Sequence, residues 1–392
     1  MLTTKQKRMI IAYYYYNKIK KETKNKRLYW VHPIIQEKNE FGGFITLYRV
    51  MRQHEEKFVD YFRMKMSTFD KLLTTIENNI RHENTKMRES IPPYIRLAVT
   101  LRYMATGDAF ARLHFDFRIG IKTIANIVRE VTHHIWSELS TVYMRMPTQE
   151  EWLNIAQRYE INANFPHCLG ALDGKHIRII KPEESGSMFL NYKHFFSIVL
   201  MAIVDSNYNY IFIDVGSYGK ECDSNVFKET QFWKKLVDNT LNIPSPCSII
   251  NTNYILPYVF VADEAFALHA NVLRPYGGNE LTKEQKIFNY RLTRARRYVE
   301  CAFGIMANKW RILHRSLNLS LDLTVAIVKT TCVLQNFIHT EEGHVEPLIN
   351  RDRLNSRLHL EGNNLTADEI RQKYTEYFSS DEGSLPWQDK YT

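Results

Sequence analysis

The chain has 392 residues, 44% of them hydrophobic, with a formal net charge of +9 and a pI near 9.1. That is enough apolar material for two domains with real cores, and the positive balance favours a polyanionic partner. The five cysteines include no Cys-x-x-Cys pair, which argues against a zinc finger or disulfide framework and fits a reducing compartment.

No apolar run approaches the roughly 20 residues of a bilayer span, so no membrane association is expected. The N-terminus also lacks a signal-peptide layout. Residues 1–55 read as a basic, aromatic extension. Within it, Lys18–Arg27 reads as a nuclear import signal, a phosphate-binding arm or a solvated tail, and Phe41-Gly-Gly-Phe44 as loop.

Residues 56–160 read as a helical domain. Ser67-Thr-Phe-Asp70 opens one amphipathic segment, and Pro92-Pro93 precedes another that Gly107 closes. Next, Asp116-Phe-Arg-Ile-Gly120 reads as a tight turn at Gly120, followed by a helix with Ile121, Ile124, Ala125 and Val128 inward. Helix, glycine-containing turn and helix outline a helix-turn-helix, which would offer Lys122, Asn126 and Arg129 to a DNA groove. An ordinary helical bundle with a polar outer face explains the same pattern.

Residues 161–345 change texture. Strands are expected at Cys168–Ile180, Phe195–Asp205 and Tyr210–Gly216, forming an antiparallel meander. A helix near Ser224–Asn239, a strand Tyr258–Ala262, a long helix Glu284–Arg311 and an apolar helix Thr324–Ile338 follow. Three strands, a helix, a fourth strand and further helices is the order of an RNase H-like domain. The fold expected is therefore α/β, a mixed sheet preceded by a helix-turn-helix-like helical domain. Residues 346–392 read as a polar, mostly exposed tail with a short helix at Thr366–Phe378.

Three acids stand in distinctive settings. Asp173 follows the apolar run in Cys168-Leu-Gly-Ala-Leu-Asp173-Gly, and Asp263 ends Tyr258-Val-Phe-Val-Ala-Asp263. Glu300 lies in the helical stretch Thr293-Arg-Ala-Arg-Arg-Tyr-Val-Glu300. A carboxylate at the end of a buried strand is costly unless paired or coordinated. Two strand-end carboxylates and one on a later helix can converge on a pair of divalent cations suited to in-line displacement at phosphorus. Singly, each has a plainer explanation: a turn at Asp173-Gly174, a cap at Asp263, an intrahelical ion pair of Glu300 with Arg296 or Arg297. Together, in strand, strand, helix order, the metal site is the better reading. Asp205 fits a hairpin turn. Asp223 is either an auxiliary ligand or, preferentially, an N-cap, while His176 is a further auxiliary candidate. Arg294, Arg296 and Arg297, with Arg291, Lys309, Arg311 and Arg315, could track phosphates.

These residues resemble the PIF/Harbinger transposases and the Harbinger transposase-derived nucleases of the DDE endonuclease group. The resemblance spans roughly residues 60–380. It rests on Ala98-Val-Thr-Leu-Arg-Tyr-Met-Ala-Thr-Gly107, Ala171-Leu-Asp-Gly-Lys-His176, Asp223-Ser-Asn-Val-Phe227 and Phe288-Asn-Tyr-Arg-Leu-Thr-Arg-Ala-Arg-Arg-Tyr-Val-Glu-Cys-Ala-Phe-Gly304. It implies that Asp173, Asp263 and Glu300 are the catalytic, metal-binding triad for two Mg²⁺ or Mn²⁺ ions. It further implies double-stranded DNA as substrate, strand transfer after cleavage, a Myb-like partner protein and action in the nucleus, with a cytoplasmic location when that partner is missing. A homo-oligomer is compatible with it. Departures are Ala262, Phe266, Lys175 and Gln335, where the family more often has Gly, Tyr, a small hydroxyl residue and His. The competing function is a domesticated DNA-binding protein that keeps the fold without cutting.

Overall fold

The computed structural model describes residues 8–11, 13–15, 43–86, 89–249, 252–343 and 365–391. The basic group Lys18–Arg27 lies outside them.

A helical region comes first: α1 (Gly43–Met51), α2 (Glu55–Phe62), α3 (Met66–Ile80), α4 (Pro93–Thr106), α5 (Phe110–Phe117), α6 (Ile121–Tyr143) and α7 (Gln149–Ala163). Gly43 and Phe44, expected as loop, begin α1, and Phe44 is buried against Phe117. The α5–α6 turn depends on Arg118, whose φ of 51° is left-handed, whereas Gly120 is an ordinary residue at φ −57°. The tight turn therefore falls two residues earlier than the glycine suggested. On α6, Ile124, Ile127, Val128, Val131 and Ile135 face inward, but Ile121 is exposed, correcting that assignment. Lys122, Asn126 and Arg129 all lie on the exposed side.

Gly107 ends α4 in a left-handed C-cap at φ 66°, and a Cβ there would sit 2.9 Å from the backbone of Ile312. Only glycine satisfies both demands.

The sheet follows, with β1 (Cys168–Arg178), β2 (Ser197–Val204), β3 (Tyr210–Tyr218), helices α8 (Asp223–Glu229) and α9 (Gln231–Val237), then β4 (Cys247–Ser248), β5 (Ile255–Leu256), β6 (Val259–Val261) and β7 (Val272–Leu273). Five strands form one mixed sheet ordered β3-β2-β1-β6-β7. Strands β1, β2 and β3 are antiparallel neighbours, as the meander predicted, while β6 and β7 join parallel to β1. Next come α10 (Lys283–Lys309), α11 (Leu321–Glu341) and α12 (Ala367–Ser379). One sheet face, with Ala171, Leu200, Ala202 and Val261, packs under α10 and α11 in a large apolar cluster. The other face, with Leu172, Met201, Ile203 and Phe260, packs on Phe227, Phe232, Leu236 and Trp152.

The larger cluster also takes in the helical region, and α6 packs along α11 with Thr330 Oγ1 donating to Thr132 O at 3.0 Å. Helix α11 is long and apolar enough to meet a membrane-span criterion, contrary to the sequence expectation. Its most apolar window is 72% buried, as in a core helix. The expected tail also needs correcting: α12 buries Ile370, Tyr374 and Phe378 against α10 and is part of the core. Each such side chain contributes about 1.5–3 kcal/mol on burial.

Candidate active site

Ala171 on β1 and Val261 on β6 are register partners on parallel strands. Asp173 lies two residues further along β1 and Asp263 two residues past the end of β6, close enough that the charge of Asp263 raises the Asp173 carboxyl. The sheet face that includes Ala171 and Val261 is covered by α10, whose capping box at Thr282 and Gln285 begins a 27-residue helix. The buried stripe Leu292, Ala295, Val299 and Phe303 seats α10 on the sheet. Arg296 and Glu300, one turn apart, are thereby brought over β1 at Asp173, which lies mid-strand and not at the strand end the sequence suggested. Arg296 Nη1 lies 3.5 Å from Asp173 Oδ2, and its Nη2 lies 2.7 Å from Glu300 Oε1.

A fourth acid joins from the opposite direction. Asp223 is the first residue of α8, and a Cβ built on Gly174 would lie 2.5 Å from Asp223 Oδ1. The Asp223 carboxylate thus rests on the bare Cα of Gly174. The N-cap of α8 is Cys222, without a side-chain cap bond, which overturns the N-cap reading of Asp223. The signal available in the sequence was the glycine after Asp173, whose missing side chain admits a second carboxylate.

Burial dominates the electrostatics. It pushes the Asp173 carboxyl up to about 7, opposed by the Gly174 N–H and Arg296 and reinforced by Asp263 and Asp223. Burial and then Asp263 push Asp223 up to about 6. Crowded, desolvated carboxylates of this kind favour a proton or a cation among them. The donors are all carboxylate oxygens, as a hard divalent ion prefers, so the residues fit such an ion chemically. Among the described residues, however, no three acidic, His or Cys side chains stand close enough to form a finished cage. The Arg296 guanidinium lies between Asp173 and Glu300.

The plainer roles coexist with this arrangement. Asp173 Oδ1 accepts from Gly174 N at 2.9 Å, Asp263 Oδ1 accepts from Ala265 N at 3.0 Å, and Glu300 forms the intrahelical pair. Asp205 is a hairpin residue, accepting from the N–H groups of Asn207 and Asn209, each at 2.8 Å. His176 is held at 2.9 Å from Ser197 Oγ, which also accepts from Asn191 Nδ2. It lies in this network, on the strand face opposite Asp173. Lys175 lies over the Phe303 ring at 5.6 Å, and burial lowers its pKa.

The arginines of α10 divide sharply. Arg291 is buried, donating to Gly383 O at 2.9 Å, to Gln388 Oε1 at 3.0 Å and to Asn164 O, so it fastens the C-terminal segment and cannot track phosphates. Arg296 serves the acids. Arg294 donates to Asn164 Oδ1 at 3.2 Å and lies over Trp387. Arg297 is exposed and makes no ion pair among the described residues. Of the departures from the family pattern, Ala262, Phe266 and Gln335 are all buried.

The chain matches the family described as DDE superfamily endonuclease over residues 172–336, a span that begins beside Asp173 and includes Asp263 and Glu300. It is 24% identical over 310 residues to the Arabidopsis thaliana protein named ALP1-like, covering 76% of this chain and 75% of that protein. No solved structure matches it. The matched residues 172–336 thus include Asp173 in β1, Asp263 just after β6 and Glu300 on α10, and over this span the chain is similar to DDE superfamily endonucleases.

Proposed function

We propose that this protein is a DNA endonuclease of Harbinger transposase descent, with Asp173, Asp263 and Glu300 as the ligands of two Mg²⁺ or Mn²⁺ ions. The carrying observation is the convergence of Asp173 in β1, Asp263 just after its parallel neighbour β6, and Glu300 on α10, the last two coupled to Asp173 through its electrostatics and through Arg296. The bound ions would supply Lewis-acid activation of the attacking and leaving oxygens at phosphorus. The chain itself does the positioning. Strand β1 carries Asp173, the segment leaving β6 carries Asp263, and α10 delivers the third carboxylate. Gly174 lets Asp223 approach as an auxiliary acid, while Asp173, raised to about 7, can hold or release a proton near neutral pH.

The substrate in this reading is double-stranded DNA, met by the exposed Lys122, Asn126 and Arg129 of α6. Transfer of the freed 3′ end, a Myb-like partner and a nuclear location extend the reading and are supported by the family resemblance.

A second reading, a transposase-derived DNA-binding protein that no longer cuts, is favoured by one observation: Arg296 occupies the gap between two of the acids. Nicking of supercoiled plasmid with Mg²⁺ or Mn²⁺ separates the two. The nuclease reading requires nicking by the wild type and its loss, by about a hundredfold or more, in Asp263→Asn. Equal rates in both proteins exclude the proposed site, and binding without nicking in either favours the second reading.

A further inference from the structure

A recess of about 230 Å³ opens along α10, between that helix, the end of α7 and the β2–β3 turn. Its lining includes Asn162, Tyr208, Arg294, Arg297, Tyr298 and Cys301. Arg297 and Cys301 stand three residues before and one after Glu300 on the same helix, while none of the acids lines the recess.

Its walls combine two chemistries. Tyr298 is braced edge-on by Tyr159, with ring centroids 5.4 Å apart, and stacks on Tyr208 at 5.3 Å. Tyr208 lies in the β2–β3 turn at φ 65°, and its ring forms the other leaf of the stacked pair. Opposite lie Arg297, which has no ion pair among the described residues, and Arg294, bonded only to an amide oxygen and an indole face. Cations without carboxylate partners, next to a braced aromatic pair, suit a phosphodiester strand whose bases are free to stack. A paired base cannot present its face to a recess, because that face is already stacked within the duplex.

We propose that this recess binds unpaired nucleotides of a DNA strand, with Arg297 and Arg294 on phosphates and Tyr208 against a base. The inference rests on the proposed function only for DNA as the ligand; the binding itself requires no metal. The same α10 arginines thus serve two tasks, Arg296 among the acids and its neighbours along the strand.

The test is fluorescence anisotropy in EDTA with a labelled single strand, a blunt duplex and a duplex carrying a single-stranded overhang. Tyr208→Ala and Arg297→Ala should each weaken single-strand and overhang binding about tenfold, with blunt-duplex binding little changed. Arg297→Ala should also reduce the salt slope on single strands by about 0.7. Single-strand affinity equal to wild type, or an equal loss on blunt duplex, overturns the proposal. A second measurement uses Cys301, one of two exposed cysteines among the described residues, in a Cys222→Ser background. Single-stranded DNA should slow alkylation of Cys301 and blunt duplex should not; an unchanged rate with single strand contradicts the proposal. Because EDTA is present throughout, failure of the nuclease reading appears in plasmid nicking and failure of this one appears here.

Discussion

Arg296 reaches across the helix–sheet gap to Asp173, with 3.5 Å between Nη1 and Oδ2, while its other terminal nitrogen holds Glu300. A guanidinium in that place offsets the repulsion of the clustered carboxylates when no cation is present, and any incoming cation must compete with it. Replacing Arg296 with Gln should therefore lower the melting temperature in chelator. It should also tighten Mn²⁺ binding, on the order of tenfold, since an opposing charge worth one pK unit is worth that factor. Isothermal titration and thermal melts with and without Mn²⁺ measure both; weaker Mn²⁺ binding by the variant would show Arg296 to be a supporting group and not a competitor.

Burial pushes the Asp173 carboxyl up to about 7 from its ordinary 3.8. A carboxyl raised by folding stabilises the native state when protonated. That contribution is complete below about pH 4 and is lost as pH climbs through about 7. In chelator, melting temperature should fall across this window, and Asp173→Asn should flatten the fall. Mn²⁺ affinity should move oppositely, rising with pH as the carboxyl gives up its proton. A melting profile identical in wild type and Asp173→Asn would contradict the burial effect.

Gly174 is predicted to tolerate no side chain. Its Cβ would lie 2.5 Å from Asp223 Oδ1, so Gly174→Ala should cost about 1–3 kcal/mol and displace that carboxylate. Combining Gly174→Ala with Asp223→Ala should recover part of the loss, a coupling that a double-mutant cycle of denaturation midpoints would read. Strict additivity would mean that the two residues do not press on each other.

The C-terminal helix should prove necessary for the site although it contributes no acid. Phe378 is fully buried, and Arg291 of α10 lies over its ring at 4.3 Å while bonding Gly383 and Gln388. Phe378→Ala should cost about 3–5 kcal/mol, and nicking should decline in parallel as α10 loses its support. Unfolding curves of the variant matching wild type would show the segment to be dispensable.

The legible parts of the site were those with a local cause. Asp173 and Asp263 each end a continuous apolar run, the signature of a strand buried on both faces, and the helical spacing around Glu300 placed it one turn from Arg296. What escaped depended on distant packing. Strands β4, β5 and β7 have two residues each, too few for any period to register. The burial of α12 was hidden because a polar stretch precedes it and its apolar stripe is narrow. Arg291 looks like its neighbours in sequence, and only the docked C-terminal segment separates a buried structural arginine from a free one. Asp223 was ambiguous for the same reason: an acid at a helix start is usually a cap, and what it meets on Gly174 belongs to another strand.

The most direct measurement is a calorimetric titration of Mn²⁺ into wild type and Asp263→Asn, both checked for folding by circular dichroism. Two bound ions are expected in the wild type, with at least one lost in the variant. Superimposable isotherms from two folded proteins would show that Asp263 holds no cation and that the aspartates in β1 and after β6 are not a metal centre.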